Sequence, residues 1–289
     1  MNNQNIINNE YHEIMISESI LPIDLLEKKM LEFDQVDCPV IHRFGPGIYI
    51  REVTIPAGSI AIGHYQKCGH VNVFLKGKIT MLNDDGSTID LEAPMIFNGK
   101  PGRKCGYIHE DVVWLNIYST DETDVEILEN TYLDKSQSWK DAYELKNNES
   151  IKRLVDVNDY QKLLDEFGFT KEQVKSQSEN EDDQIPMPLG SYKIAVSNSN
   201  INGKGVFATA QIEANEIIGP ARIDGKRTPI GRYVNHSISP NAKMIDFNGD
   251  IYLVALTDIN GCKGGYLGEE ITTDYRENLK LIGVNKCLE

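Results

Sequence analysis

Three short stretches in the C-terminal third of the chain carry residue types that could bind a ligand or act on it. They are GKGVF at 203–207, RYVNHSISPN at 232–241 and GEEITTDY at 268–275. Bare glycine lets the main chain come close to a ligand, whereas an Asn side chain donates and accepts hydrogen bonds at once. Each stretch alone is more typical of ordinary structure, namely a tight turn, a polar loop and an aromatic residue at the end of a strand.

Taken together and in this order, the three stretches resemble the SET domain of protein-lysine methyltransferases over about residues 190–278. The resemblance implies that the chain binds S-adenosylmethionine through the first two stretches. In that family the Gly-x-Gly main chain approaches the cofactor, and the Asn-His pair grips its amino-acid part and its adenine. The implied cofactor-binding residues are Gly203, Lys204, Gly205, Val206, Phe207, Arg232, Tyr233, Asn235 and His236.

The resemblance also assigns the active-site tyrosine of the family to Tyr275. Pro240 and Asn241 would fix a turn that, in the family, threads a pseudo-knot beside the C-terminal strand, a rare exception to the rule that chains do not thread loops. The implied partner is a lysine-containing protein or peptide. The expected fold of this part is therefore a SET-type β-fold with that pseudo-knot.

Methyl transfer from a sulfonium to a lysine amine is an in-line displacement, so an enzyme contributes mainly position and electrostatics. The amine must be neutral to attack, and with a reference pKa near 10.4 its deprotonation at pH 7 costs about 4–5 kcal/mol. A desolvated channel beside the positive charge of the cofactor lowers that cost. A tyrosine hydroxyl and backbone carbonyls can orient the amine and hold the polarised methyl group. No general base is evident in the sequence, and a water molecule could serve.

The chain also departs from the SET pattern. The segment between Phe207 and Asn235 is short. The variable insert that builds one wall of the substrate groove in relatives is therefore nearly absent, and the resemblance does not indicate the type of substrate. The tail after Tyr275 holds a single cysteine, Cys287, so the zinc-binding cap of many relatives cannot form and another element must cover the lysine channel. The Gly-rich insertion at 260–267 is expected to be a lid or an exposed loop.

Residues 57–118 resemble a cupin, a small β-barrel, through GHYQKCGHVNVFLKGKITM and APMIFNGKPGRKCGYIHEDVVWLNIY. Cupins that use a metal supply three His and one Glu. Here His64 takes the first His position and His70 the Glu position, while the second motif offers Arg103 or Lys104 where a His is expected. Two imidazoles are too few for a metal site, so we predict no metal and keep His64 and His70 as the candidate ligands. Such a barrel could still bind a ligand or form a homodimer through its sheet.

Changes in periodicity divide the chain and predict a mainly β protein. The first part of the chain consists of short β-branched and aromatic runs. It is followed by helical patterns, which include a capping box at Thr170–Gln173, and by the polar run SQSENEDDQ at 176–184. β-type runs resume at Tyr192. The predicted parts are a disordered tail at 1–20, a cupin-like β-barrel domain at 21–135, a helical, charged linker at 136–188 and a SET domain at 189–289.

Charge and cysteine usage limit the classes of function. The chain has 289 residues, 44 acidic and 29 basic, and a net charge of −15, which argues against nucleic acid as a partner but suits a basic peptide. Five cysteines without a C-x-x-C pair indicate reduced thiols rather than disulfides or structural zinc. The N-terminus does not resemble a signal peptide, and no apolar run reaches about 18 residues. We therefore expect no membrane partner and a cytoplasmic location.

These observations leave alternatives of different classes. The leading hypothesis is an S-adenosylmethionine-dependent protein-lysine methyltransferase built from a cupin-like barrel, a helical linker and a compact SET domain. In the second, the cupin-like part carries a metal- or ligand-dependent function and the SET part is accessory. In the third, the whole chain is a non-catalytic interaction module that keeps the SET core for its shape.

Overall fold

The computed structural model describes residues 23–83, 86–149 and 154–284. The tail predicted at 1–20 lies outside these residues. The chain divides into two compact units. The first contains the described residues up to Glu122, with Ile127–Glu149 and Lys263–Tyr266, and the second contains Thr123–Glu126, the described residues from 150 to Cys262, and those from Leu267 onward.

The first unit is built mainly of antiparallel strands. Its strands are β1 (Val40–Gly45), β2 (Ile48–Ile55), β3 (Ile60–Ile62), β4 (Tyr65–Gln66), β5 (His70–Leu82), β6 (Thr88–Glu92), β7 (Met95–Gly99), β8 (Cys105–Ser119) and β9 (Leu133–Asp134). The helices in this part of the chain are α1 (Ile23–Met30), α2 (Val125–Tyr132) and α3 (Gln137–Glu149).

The long strands β5 and β8 organise the sheet of the first unit. β8 pairs with β3 near its start and with β2 near its end, while β5 pairs first with β7 and then with β6, and β5 and β8 pair with each other. The resulting order is β1-β2-β8-β5-β6, with β3 beside β8 and β7 beside β5. Within the described residues these pairings do not close into a ring. The predicted barrel is therefore corrected to an open sheet whose long strands exchange partners.

Gly77 explains how β5 changes partner. Its φ is +98°, and the ladder with β8 shifts register between Phe74 and Ile79. A Cβ at Gly77 would lie 2.5 Å from the main-chain oxygen of Asp111, so a side chain does not fit there. Such an irregularity lets a strand leave one neighbour and take up the next. The core beside it consists of Phe74, Ile79, Met81, Ile108 and Val112.

The segment Lys263–Tyr266 belongs to the first unit, although it comes from the Gly-rich insertion at 260–267. Tyr266 is 5% exposed, and its ring stacks on Trp139 at 5.2 Å and on Tyr143 at 5.6 Å between centroids. The insertion therefore differs from the exposed loop suggested by its glycines, because its aromatic residue is part of a buried stack with α3.

The second unit combines small sheets with short helices. Its strands are β10 (Gly190–Tyr192), β11 (Ile194–Asn198), β12 (Lys204–Ala208), β13 (Ile217–Ile223), β14 (Lys226–Arg227), β15 (Asn235–His236), β16 (Ala242–Phe247), β17 (Asp250–Ala255) and β18 (Glu270–Thr273). Its helices are α4 (Leu154–Phe167), α5 (Lys171–Ser178), α6 (Pro229–Tyr233) and α7 (Tyr275–Leu281), with a short 3-10 helix at Glu181–Asp183. One sheet has the order β11-β12-β18-β15 and another β14-β13-β17-β16.

Helices α4 and α5 come from the segment predicted as a linker at 136–188, and they are part of the second unit. Leu163, Leu164 and Phe167 of α4 are buried. The capping box at the start of α5 is confirmed: Thr170 Oγ1 accepts from Gln173 N at 3.2 Å, and Gln173 Oε1 accepts from Thr170 N at 2.8 Å. None of the described helices has both the length and the apolar character needed to cross a membrane.

Candidate functional site

A cavity of about 530 Å³ in the second unit is lined by residues from the three sequence stretches and from α4 and α5. Tyr275 lines it together with most of the predicted cofactor-binding residues, namely Gly203, Lys204, Arg232, Tyr233, Asn235 and His236. The other predicted residues, Gly205, Val206 and Phe207, are not among those that line it. The predicted set is thus largely brought together in one place.

The sheet β11-β12-β18-β15 explains why these distant stretches meet. β12 follows directly after Gly203, contains Gly205, and pairs with β18, with Val206 opposite Ile271. β15, which contains the Asn-His pair, runs parallel to β18 and lies opposite Thr272 and Thr273. Tyr275 follows β18 at the start of α7. One central strand therefore positions all three stretches.

The side-chain nitrogen of Asn235 is bonded within the protein. Nδ2 lies 3.0 Å from Ser199 Oγ, 3.0 Å from the main-chain oxygen of Lys204 and 2.8 Å from Glu270 Oε1. Because an amide nitrogen carries only two hydrogens, its donor capacity is fully used here. Asn235 thus ties the Gly-x-Gly loop to β18, and any contact it makes with a ligand would come from its main chain or its Oδ1.

Sequence reasoning misses Glu270, although it lies within the stretch GEEITTDY. Ser199 Oγ donates to Glu270 Oε1 at 2.7 Å, and a Cβ on Gly205 would collide with the same oxygen. Gly205 therefore makes room for a carboxylate of the protein itself. At Gly203, where φ is +50°, a Cβ would meet no atom within 4 Å. Of the two glycines, Gly203 is the one that leaves open space beside the cavity.

Both ring nitrogens of His236 have partners. Nε2 lies 3.0 Å from Asp159 Oδ2, and Nδ1 accepts the main-chain N–H of Tyr275 at 3.2 Å. Since Nδ1 accepts, the hydrogen of the neutral ring is on Nε2, which donates to the carboxylate. His236 is 2% exposed. Its hydrogen bonds are therefore used to hold the start of α7, and with it Tyr275.

Asp159 lies at the centre of a polar network between α4 and α7. Arg276 Nη1 donates to Asp159 Oδ2 at 2.5 Å, and Arg276 Nε donates to Glu166 Oε2 at 3.0 Å. The hydrogen bond from Arg276 lowers the pKa of Asp159, and the one from His236 adds to this against the opposing effect of burial. Asp159 therefore stays ionised at neutral pH and keeps His236 in place.

The hydroxyl of Tyr275 has a defined partner. Oη donates to the main-chain oxygen of Val234 at 2.7 Å, and the ring meets Tyr160 edge to face at 6.0 Å between centroids. Burial raises the pKa of the Tyr275 phenol well above its usual value, so the hydroxyl keeps its proton at neutral pH. With that hydrogen committed to Val234, the oxygen can act toward another group only as an acceptor.

Two cations flank the ring of Tyr233. The Arg232 guanidinium lies 5.0 Å from the ring centroid and Lys204 Nζ lies 5.9 Å from it. Lys204 Nζ also bonds Glu126 Oε2 at 2.5 Å, which raises the pKa of Lys204, and Arg232 donates to Gln184 Oε1. These partners fix both cations beside the ring, where the attraction between cation and aromatic face is favourable.

The charged residues that line the cavity are mostly basic, in contrast to the acidic chain as a whole. Lys171, Lys175, Lys204 and Arg232 line it against a single carboxylate, that of Glu179. The two lysines on α5 escape sequence reasoning, because a polar helix in a charged segment has the same composition as a solvated linker. The cavity therefore favours a ligand with a negative group.

The two histidines predicted as candidate metal ligands line a different cavity, of about 150 Å³, in the first unit. The His64 ring is edge to face with Trp139 at 5.1 Å, and burial together with the charge of Arg51 lowers the pKa of His64 to about 3. His70 Nδ1 lies 3.1 Å from the main-chain oxygen of Cys68. Among the described residues, no group of three or more His, Cys, Asp or Glu side chains is placed to hold a metal.

A scan against protein-family models finds no match, and a search of curated proteins finds no significant match. Solved structures do match part of the chain. A cupin-2 domain protein from Shewanella frigidimarina NCIMB 400 is similar over 36% of this chain and 99% of its own, with 12% identity and a TM-score of 0.25. An RmlC-like cupin with a double-stranded β-helix fold, from Methanocaldococcus jannaschii, is similar over 29% of this chain and 81% of its own, with 15% identity and a TM-score of 0.24.

A cupin protein from Bacteroides fragilis is similar over 26% of this chain and 68% of its own, with 20% identity and a TM-score of 0.22. Part of this mainly β chain is thus similar to cupin structures. The resemblance of residues 190–278 to SET domains stays a prediction from the sequence.

Proposed function

We propose that the second unit is an S-adenosylmethionine-dependent methyltransferase that acts on a lysine side chain of a protein substrate. A SET-type fold with its pseudo-knot is part of this proposal. The observation that carries it is that the stretches at 203–207, 232–241 and 268–275 all contribute to one cavity, with Tyr275 on its wall. An unrelated turn, loop and strand end would have no reason to converge on one pocket.

The cavity suits this cofactor in size, and its basic residues suit the carboxylate of the cofactor. Its volume of about 530 Å³ lies within the range of about 300–1,000 Å³ that is usual for ligand sites. Lys171, Lys175 and Arg232 supply positive charge for the carboxylate of the cofactor, and Gly203 leaves the main chain open to it. When bound, S-adenosylmethionine supplies an electrophilic methyl group on a sulfonium.

The residues of the chain would position the amine and keep it neutral. A basic lining opposes a protonated lysine, so it favours the neutral amine that can attack. Tyr275 Oη, whose hydrogen is donated to Val234, accepts an N–H of that amine and so directs the nitrogen lone pair. His236 and Asp159 act as positioning residues, because they hold the start of α7 where Tyr275 lies.

Transfer is tested by incubating the protein with labelled cofactor and a peptide array or lysate, followed by mass spectrometry of whatever gains methyl mass. Automethylation is checked first. Tyr275→Phe removes only the hydroxyl, so we expect cofactor binding within about twofold of wild type and transfer lower by about 100-fold or more. Tyr160→Phe, which changes another tyrosine of the same cavity, is the matched control and should transfer nearly as well as wild type. Unchanged transfer in Tyr275→Phe would contradict the assigned role.

The second hypothesis, a ligand- or metal-dependent function of the cupin-like unit with an accessory second unit, rests on the cavity of the first unit that His64 and His70 line. Metal analysis of the purified protein separates it from the proposal above. Stoichiometric iron, manganese or zinc that is lost in His64→Ala and His70→Ala would favour it.

A further inference from the structure

The cavity of about 150 Å³ in the first unit is lined by both apolar and polar side chains. The apolar ones come from β2, β3, β5 and β8 and include Val53, Ile55, Ile79, Met81 and Val112. The polar ones include Arg51, His64, His70 and Lys104. A mostly apolar lining with a few polar groups is typical of sites for small ligands.

Several nitrogens at this cavity are buried without a hydrogen-bond partner among the described residues. They are Arg51 Nε, His64 Nδ1 and His70 Nε2, and the neighbouring Asn72 Nδ2 is also unpaired although its carbonyl oxygen accepts two bonds. Buried polar atoms nearly always have partners in folded proteins, because an unmet one destabilises the fold. Arg51 and Asn72 can only donate from these atoms, and His64 can donate from Nδ1 in the right tautomer. His70 differs, because its Nδ1 donates to the main-chain oxygen of Cys68 and its Nε2 is then the acceptor nitrogen of the uncharged ring. Three of the four nitrogens therefore lack an acceptor.

The charge of Arg51 is only partly compensated. A carboxylate oxygen of Glu129 lies 3.7 Å from Arg51 Nε, whereas Lys135 Nζ lies 2.7 Å from the other carboxylate oxygen of Glu129. Burial raises the pKa of Glu129, but Lys135 and Arg51 together lower it to about 2. Two cations and one anion leave this group with a net positive charge.

Lys104 adds a further positive charge on the same cavity. Its Nζ lies 5.4 Å from the ring centroid of Trp114 and 5.5 Å from that of Phe97. Burial lowers the pKa of Lys104, and no described carboxylate offsets that effect. The residues that line the cavity include no Asp or Glu. A metal cation would meet repulsion here, whereas an anion would meet two cations and unpaired donors.

We propose that this cavity binds a small organic carboxylate, with its oxygens toward Arg51, His64 and Lys104 and its carbon chain against Ile79 and Met81. An apolar cavity of about 150 Å³ holds benzene, so the space suits an acid of about six non-hydrogen atoms. This site is distinct from the cavity of the second unit, and the proposal does not depend on the methyltransferase activity proposed for that unit.

The test is an NMR titration of the full-length protein with sodium acetate, propionate, butyrate and pyruvate at constant ionic strength. We expect at least one of them to bind saturably at millimolar concentration or below. Butyramide has the shape of butyrate without its charge, and we expect it to bind at least about tenfold more weakly. Manganese and zinc ions are titrated in parallel and should not bind at this site.

Lys104→Gln is expected to weaken carboxylate binding about tenfold. Lys76→Gln makes the same change at an exposed lysine of β5 and is the matched control, with no expected effect. Arg51→Gln should weaken binding at least as much, and circular dichroism shows whether it folds. Lys104→Gln keeps the test decisive if Arg51→Gln does not fold, because no described carboxylate depends on Lys104.

Failure of all four carboxylates to bind would overturn the proposal. So would equal binding of butyrate and butyramide, or wild-type affinity in Lys104→Gln. A stoichiometric metal that is lost in His64→Ala would assign the cavity to a cation instead.

Discussion

At the scale of single residues, Asp159 lies outside the three sequence stretches but holds side chains that lie within or next to them. It bonds His236 at 3.0 Å and Arg276 at 2.5 Å. Asp159→Asn keeps the shape and removes the charge, so we expect the free energy of unfolding to fall by about 1–3 kcal/mol. Chemical denaturation measures this. Asp165→Asn, at an exposed position of the same helix, is the control and should change stability little.

The pH dependence of this difference follows from the lowered pKa of Asp159. A carboxyl group with a lowered folded-state pKa contributes stability that is complete above its unfolded value, about 3.9, and is lost as pH falls through the folded value. The gap in stability between wild type and Asp159→Asn should therefore be constant at neutral pH and shrink below about pH 4. Denaturation curves at a series of pH values test this, and a gap that widens on acidification would contradict the assignment.

The three sequence stretches identify fewer than half of the residues that line the cavity, and they do not show the hydrogen bonds that these residues make. Asn235 and Gly205 both face the carboxylate of Glu270, and His236 faces Asp159. Glu270 and Asp159 are far from their partners in the sequence. A single sequence contains no signal for such pairs, because an acidic residue on a polar segment looks the same whether it is solvated or bonded.

At the scale of elements, helices α4 and α5 are the largest difference between sequence and structure around the site. Both were expected in a linker, yet both line the cavity. The capping box at Thr170 predicts the start of α5 correctly. The role of α5 escapes prediction because the helix buries none of its residues, so its pattern lacks an apolar face.

The lysines of α5 provide a test of the binding role of that helix, which rests on the proposed cofactor. Lys171→Gln with Lys175→Gln removes two positive charges from the cavity wall. Exposed charge interactions are worth about 0.2–1 kcal/mol each, so we expect S-adenosylmethionine to bind about two- to tenfold more weakly. Calorimetric titration measures this change. Lys162→Gln on α4, which does not line the cavity, should bind like wild type.

At the scale of the whole molecule, the first unit presents an exposed apolar face on β5 and β7. Val71, Leu75 and Ile96 are 38%, 56% and 76% exposed. Val71, Val73 and Leu75 alternate along β5 and share a face, and Ile96 lies opposite Val73. Apolar faces of this kind often mark contacts between proteins, and the homodimer through this sheet stays a prediction.

We therefore expect Leu75→Asp with Ile96→Asp to convert a dimer into a monomer, because two buried charges would oppose association. Size-exclusion chromatography with light scattering measures the mass. Ile127→Asp, at an exposed position of α2, is the control and should remain dimeric. A wild-type protein that is monomeric at high concentration would contradict the prediction.

The mainly β character of the chain follows from its short β-branched runs, but the closure of the sheet does not. Period-two patterns show which residues alternate, whereas closure depends on which strands pair at the edges. The position of Lys263–Tyr266 is another example, because its glycines predict a loop while Tyr266 stacks on Trp139. Pairings between distant segments are the part of a fold that local patterns determine least.

The central claim is that the cavity shared by Gly203, Asn235 and Tyr275 binds S-adenosylmethionine. Its most direct test is a calorimetric titration of the full-length wild-type protein with that cofactor. We predict one saturable site per chain in the micromolar range. At about 1 mM cofactor even a weak site would be half filled. If circular dichroism shows that the protein is folded, the absence of binding heat at this concentration would contradict the claim.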